Sequence, residues 1–114
     1  MTGQKIAVTN AIQIRQAKEA WLTSNRDLNL LRGRLTIATT TRELRELEAK
    51  RESIKHKAGN ASFDSLLTAQ TAAIHAKMAE VKAHDDYSKA RLKLRIQSGE
   101  LLNQHIRVDH APVE

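Results

Sequence analysis

Cysteine is absent from the 114 residues of the chain, and its one proline is Pro112. Without thiols the chain can form no disulfide and no thiolate metal site, so cysteine usage does not indicate a redox compartment. Glycine occurs four times, and aromatic residues make up 3% of the sequence. Compact cores usually bury more aromatic surface than this, and few helix breakers occur between about residues 5 and 108. These scarcities favour one elongated helical domain.

Long apolar runs are also missing. No stretch approaches the roughly 20 apolar residues of a membrane-spanning helix, and no apolar run of signal-peptide length follows Met1. We therefore expect no membrane span in this chain, and the sequence as written shows no export signal.

Lysine and arginine outnumber aspartate and glutamate, which gives a formal net charge of +6. This excess fits a solvated helical surface, or a negatively charged partner such as nucleic acid, an anionic membrane or an acidic protein patch. The basic residues are interspersed with acidic ones, without a run of five or six like charges. That distribution favours the solvated surface and argues against nucleic acid.

The stretch 57–63 contains the clearest break in the helical pattern. Gly59 can take the left-handed conformation that ends a helix, and Lys55 and Lys57 suit the negative end of the helix dipole. Ser62 is a favourable N-cap for a following helix. A stop signal, a short connection and a start signal together predict a tight turn between antiparallel helices.

The predicted fold class is all-α, a long antiparallel two-helix coiled-coil hairpin with a tight turn near Gly59 and Ser62. Thr9 or Asn10 is expected to cap the first helix. We predict a single domain over residues 1–114, made of a first helix, a turn, a second helix and a tail at about 11–57, 58–62, about 63–107 and 108–114.

The first helix carries two apolar stripes. One has heptad spacing, with Ser24 as its polar member, through Ala17, Trp21, Ser24, Leu28, Leu31, Leu35 and Ala38. It fades at Arg42 and Arg45. A second stripe strengthens there, and it consists of Leu30, Ile37, Leu44, Leu47, Ile54 and Ala58. Two offset stripes indicate either two buried faces or one seam that shifts along the helix.

The second helix also carries two stripes. One is Leu67, Thr71, Ile74, Met78, Val81, Asp85, Ser88 and Leu92, and the other, rich in alanine, is Leu66, Ala69, Ala73, Ala76, Glu80, Ala83, Tyr87, Ala90 and Leu94. Small side chains predict that the second of these meets another helix at short range. Gly99 predicts a kink, a break or a close packing point. Since both helices are apolar on more than one face, we expect self-association or a missing remainder of the protein.

Catalytic and metal-binding patterns are not found. The five histidines form no His-x-x-x-His pair, and Asp85 and Asp86 diverge by about 100° on a helix. No nucleophile elbow, phosphate loop or dinucleotide motif is present. We predict no enzyme activity, no cofactor and no metal site.

The turn carries a more specific pattern, G-x-x-S-aromatic-x-x-apolar-L-x-A-Q, at Gly59, Ser62, Phe63, Leu66, Leu67, Ala69 and Gln70. Its sequence resembles the periplasmic hairpin tip of TolC-like outer-membrane efflux and secretion channels. His56 stands where that family usually has tyrosine. Downstream, the segment from Tyr87 through Ala90 to Leu94, and then Ser98-Gly99-Glu100-Leu101-Leu102, is similar to the family's closing segment. The resemblance covers residues 40–106 well and residues 11–39 only as generic helix.

The resemblance implies the helical hairpin of the second repeat of a trimeric channel, located in the periplasm and outer membrane as part of a longer protein. A periplasmic adaptor and self-association would be its partners. The adaptor-docking residues would be at the tip: Lys57, Gly59, Asn60, Ser62, Phe63, Leu66 and Leu67. No barrel strand or first repeat is present in the sequence. A free-standing coiled-coil interaction module is the alternative interpretation.

Overall fold

The computed structural model describes the backbone of residues 2–109 and the side chains of residues 8–103. It contains two helices, α1 over Thr2–Lys57 and α2 over Phe63–Asp109, joined by a short connection at residues 58–62. The predicted all-α antiparallel hairpin is confirmed.

The ends of the helices differ from those predicted. Helix α1 begins at Thr2 rather than near residue 11, so Thr9 and Asn10 lie inside the helix and do not cap it. No proline interrupts this segment, and one glycine costs a helix only about 1 kcal/mol. Helix α2 continues to Asp109, and residues 110–114 of the predicted tail lie outside the described residues. It also passes unbroken through Gly99, which has open space around it, so the predicted break or close packing point is not found in this chain.

The contacts divide the chain into two units. One, here called the terminal unit, combines Met1–Asn29 with Ser88–Glu114, and the other, the tip unit, is Leu30–Tyr87. Each unit consists of a segment of α1 and a segment of α2.

In the terminal unit, a hydrogen bond joins the two helices directly. The indole Nε1–H of Trp21 donates to Ser98 Oγ at 2.7 Å. Ser24 and Leu28 are buried beside it on α1. The first apolar stripe therefore faces α2 in this unit, as its heptad spacing predicts.

In the tip unit, three contacts define the antiparallel pairing. They join Glu52 to Ser65, Arg42 to Glu80 and the Arg32 guanidinium to the ring of Tyr87. Along these three contacts the residue numbers fall on α1 and rise on α2, as antiparallel helices require. The alanine-rich stripe of α2 lies at this seam, where Ala76 is buried and the stripe's other members are half-buried.

The first stripe of α1 does not end at Arg42 in the structure. Its heptad positions remain half-buried toward the turn, and they are Arg42, Arg45, Ala49, Glu52 and His56. Long polar side chains can cover small residues with their stems while their charged ends find partners, so this half of the seam is polar. The second stripe, from Leu30 to Ala58, is exposed. The seam therefore stays on one face of α1.

The ion pair between Arg42 and Glu80 is the centre of this polar seam. Arg42 Nε donates to Glu80 Oε2 at 2.6 Å, and its Nη1 donates to Glu46 Oε2 at 2.9 Å. Lys77 Nζ donates to the other oxygen of Glu80 at 3.1 Å. The hydrogen bond from Arg42, aided by the one from Lys77, lowers the pKa of Glu80 despite partial burial, and the same bond raises the pKa of Arg42.

Replacing Glu80 should make the fold less stable at neutral pH and less sensitive to acid. Since the pKa of Glu80 is lower in the folded chain, its stabilisation is complete above the unfolded pKa and is lost as pH falls through the folded value. We expect Glu80→Gln to lower the melting temperature at about pH 7 and to flatten its decline below about pH 4. Thermal unfolding followed by circular dichroism measures both effects.

Glu43→Gln is the matched control. Glu43 pairs with the same arginine, but it is exposed and its contact is longer, at 3.7 Å. It should leave the acid profile close to that of the unchanged chain. Equal profiles for Glu43→Gln and Glu80→Gln would contradict the assignment.

Candidate functional site

The hairpin tip is built on a left-handed glycine. Gly59 has φ of 79°, a conformation in which a side chain with a Cβ is strained. Around it, the amide N–H of Gly59 donates to His56 O at 3.0 Å, and that of Asn60 donates to Lys55 O at 2.8 Å. These two bonds form a Schellman motif, which satisfies carbonyls that the end of α1 leaves without helical partners.

Ser62 starts α2 as its N-cap. Its Oγ accepts a hydrogen bond from the amide N–H of Ser65 at 3.1 Å, and its carbonyl accepts one from the amide N–H of Leu66 at 3.2 Å. Both bonds belong to the usual capping arrangement. Ser62, predicted as an N-cap, therefore has this structural role.

His56 ties α1 to the connection. Its Nδ1 is 3.0 Å from the carbonyl oxygen of Ala61. A carbonyl can only accept, so Nδ1 carries the proton in this hydrogen bond. The imidazole also meets the ring of Phe63 edge to face, with 6.2 Å between centroids. One side chain thus contacts both the connection and the first residue of α2.

A second polar contact crosses between the helices just behind the turn. The hydroxyl of Ser65 donates to Glu52 Oε2 at 2.9 Å. The amide N–H of Ser65 also donates to Ser62 Oγ, so Ser65 joins the capped end of α2 to α1. The tip is therefore fixed by bonds on both sides of the connection.

The structure separates the predicted docking residues into two groups. Leu66 is half-buried at the seam, so its side chain packs inside the hairpin. The others are exposed, and they are Lys57, Gly59, Asn60, Ser62, Phe63 and Leu67. Phe63 is 64% and Leu67 49% exposed. Because they are four residues apart on one helix, they form a small apolar surface beside the polar loop.

A shallow groove of about 530 Å³ lies on one side of the hairpin next to the turn. Its wall on α1 is charged and consists of Glu48, Arg51, Glu52 and Lys55. Its wall on α2 is small and consists of Ser65, Thr68, Ala69 and Ala72. The groove can accept a side chain or a helix edge that carries charges of both signs.

Sequence reasoning missed several residues of this site. In the sequence, His56 stands out as a departure from the family's tyrosine, and the motif predicts neither its contacts with Ala61 and Phe63 nor the contact between Ser65 and Glu52. The location of His56 in the last helical turn before a glycine could have indicated its contact with the connection. The contact between Ser65 and Glu52 depends on how the helices align, which no local pattern specifies.

Among the described residues, no group of three or more histidine, aspartate or glutamate side chains could hold a metal ion. Within the same part of the chain, neither helix has a window apolar enough to cross a membrane. Comparisons with protein-family models, with curated proteins and with solved structures found no match.

Gly59→Val is expected to destabilise the chain by at least about 1 kcal/mol, because a β-branched residue tolerates positive φ poorly. Gly33→Ala is the control. Gly33 lies inside α1 with open space where a side chain would project, so alanine should stabilise the helix by up to about 1 kcal/mol. Chemical denaturation measures both. An unchanged stability for Gly59→Val would show that the turn does not depend on the left-handed glycine.

Proposed function

We propose that this chain is a periplasmic α-helical tunnel segment of a TolC-like outer-membrane factor for efflux or type I secretion, and that its tip docks a periplasmic adaptor. The observation that carries the proposal is how the tip motif divides between structural and exposed residues. Gly59 and Ser62 build the turn, whereas Phe63 and Leu67 remain largely exposed. A motif with apolar members that the hairpin does not bury is typical of a surface that meets a partner.

The outer faces of the tip unit support the same interpretation. Its exposed apolar residues on α1 are Leu30, Ile37, Leu44, Leu47 and Ile54, and those on α2 are Leu67, Ile74, Met78 and Val81. At about 100° per residue, both stripes lie roughly 150–160° from the seam. A helix that packs on one side and carries an apolar stripe on nearly the opposite side suits a wall of helices, in which each has a neighbour on either side. These stripes support self-association, and the resemblance implies a trimer of the longer protein.

A free-standing coiled-coil interaction module is the second candidate. The same exposed stripes support it, because they would suit any helical partner. It gives no reason, however, for the exposed Phe63 at the turn. An experiment on the tip therefore separates the two candidates.

The test is a graft into an established TolC-like channel. Residues 48–72 replace the matching tip segment of its second hairpin, and efflux is measured as drug resistance in a strain that lacks its own channel. We expect the graft to restore resistance. Phe63→Ala in the graft should reduce efflux at least about tenfold, the effect of losing roughly 1.4 kcal/mol of docking energy.

Thr71→Ala in the same graft is the control, because Thr71 is exposed and lies outside the motif. It should leave efflux unchanged. In the isolated chain, Phe63→Ala should change stability by less than about 0.5 kcal/mol, as is usual for an exposed side chain. A graft that forms trimers in the outer membrane but restores no efflux would contradict the proposal.

A further inference from the structure

The terminal unit holds much of the excess positive charge. Over residues 8–29 and 88–103 its basic side chains are Arg15, Lys18, Arg26, Lys89, Arg91, Lys93 and Arg95. Its acidic side chains over the same residues are Glu19, Asp27 and Glu100. How these charges are distributed around the paired helices decides whether they form a surface.

The heptad register assigns each residue to one flank of the seam. On α1, one flank is formed by the residues one and four positions after Trp21, or after Ile14 seven residues earlier. On α2, it is formed by the residues one and four positions after Leu94, or after Tyr87 seven residues earlier. In an antiparallel pair, these positions project to the same side. The tip unit follows this rule, because one groove there is lined by Thr39, four residues after Leu35, together with Lys77, Val81 and His84 of α2. The rule therefore locates the charges in the terminal unit as well.

On this flank of the terminal unit lie four basic residues and, within residues 8–29 and 88–103, no acidic one: Arg15, Lys18, Arg91 and Arg95. We call it the basic face. The opposite flank is balanced, since its charged residues are Lys89, Lys93, Asp27 and Glu100. Glu19 and Arg26 lie on the outer side of α1 between the flanks, and their charges offset each other. The net positive charge is therefore concentrated on one side.

The basic face also has a local recess and exposed aliphatic side chains. Ser88, Arg91, Leu92 and Arg95 line a shallow groove of about 280 Å³. Leu92, at the outer edge of this groove, is 57% exposed, and Leu22, on the flank of α1, is 48% exposed. Arginine pairs and a hydroxyl suit phosphate oxygens, while leucines beside them suit an apolar medium.

We propose that the basic face binds the surface of an anionic phospholipid bilayer. Basic residues are attracted to anionic headgroups, and neighbouring leucines enter the boundary between headgroups and acyl chains. Nucleic acid is a poorer match, because exposed aliphatic residues gain nothing on a phosphate backbone. The aromatic side chain beside this face, Trp21, is half-buried and bonded to Ser98, so it does not offer a free ring to stack on bases. The inference depends on the terminal unit alone and is independent of the function proposed for the tip.

The test measures binding of the full chain to vesicles by co-sedimentation. Phosphatidylcholine vesicles with about 30% phosphatidylglycerol should bind the chain, and pure phosphatidylcholine vesicles should bind it at least about tenfold more weakly. Binding should also fall strongly between about 0.05 M and 0.5 M salt. Arg91→Gln with Arg95→Gln should weaken binding by roughly tenfold or more.

Lys89→Gln with Lys93→Gln removes the same charge from the opposite flank and should weaken binding less than about threefold. Circular dichroism establishes that each variant is helical, and Arg15→Gln with Lys18→Gln provides a second variant of the basic face. Equal losses from the two flanks would overturn the proposal, as would equal binding to neutral vesicles. Tighter binding to duplex DNA than to the anionic vesicles would overturn it in favour of nucleic acid.

Discussion

The left-handed conformation of Gly59 is the constraint on which the pairing of the two helices depends. It ends α1 in a Schellman motif and lets the chain reverse within residues 58–62, where Ser62 caps α2. Because both helix ends are satisfied locally, the connection needs no support from a core. The reversal brings His56 of α1 and Leu66 of α2 to the start of a common seam. The later contacts between the helices follow from that alignment.

Much of this fold could be predicted from sequence, because its signals are local. A glycine after a basic turn and a serine before a new helix mark the reversal without knowledge of the partner. The alanine-rich stripe likewise identifies the face of α2 that meets α1. The polar half of the seam could not be predicted in this way. Arg42 and Arg45 at heptad positions indicate the end of an apolar stripe, and only the location of Glu80 across the seam makes Arg42 part of it.

The candidate site likewise contains residues that could be predicted from sequence and contacts that could not. Gly59, Ser62, Phe63 and Leu67 could be selected from sequence, because a motif and capping chemistry coincide there. The hydrogen bond from His56 to Ala61 and the one from Ser65 to Glu52 depend on how the chain closes. Helix ends were also difficult to predict, since α1 continues to Thr2 through a polar segment with no strong stop signal. Local chemistry predicts where a helix must end better than where it happens to continue.

The repeated alanines of α2 contribute little by themselves to the alignment of the helices. Alanine recurs every seven residues along the alanine-rich stripe, at Ala69, Ala76, Ala83 and Ala90, so these positions alone would not distinguish a slip of α1 by seven residues. Glu80 is the one acidic member of that stripe. After such a slip, Arg42 would lie opposite Ala73 or Tyr87 and lose its carboxylate partner. The ion pair therefore reinforces the register that the short connection at residues 58–62 sets.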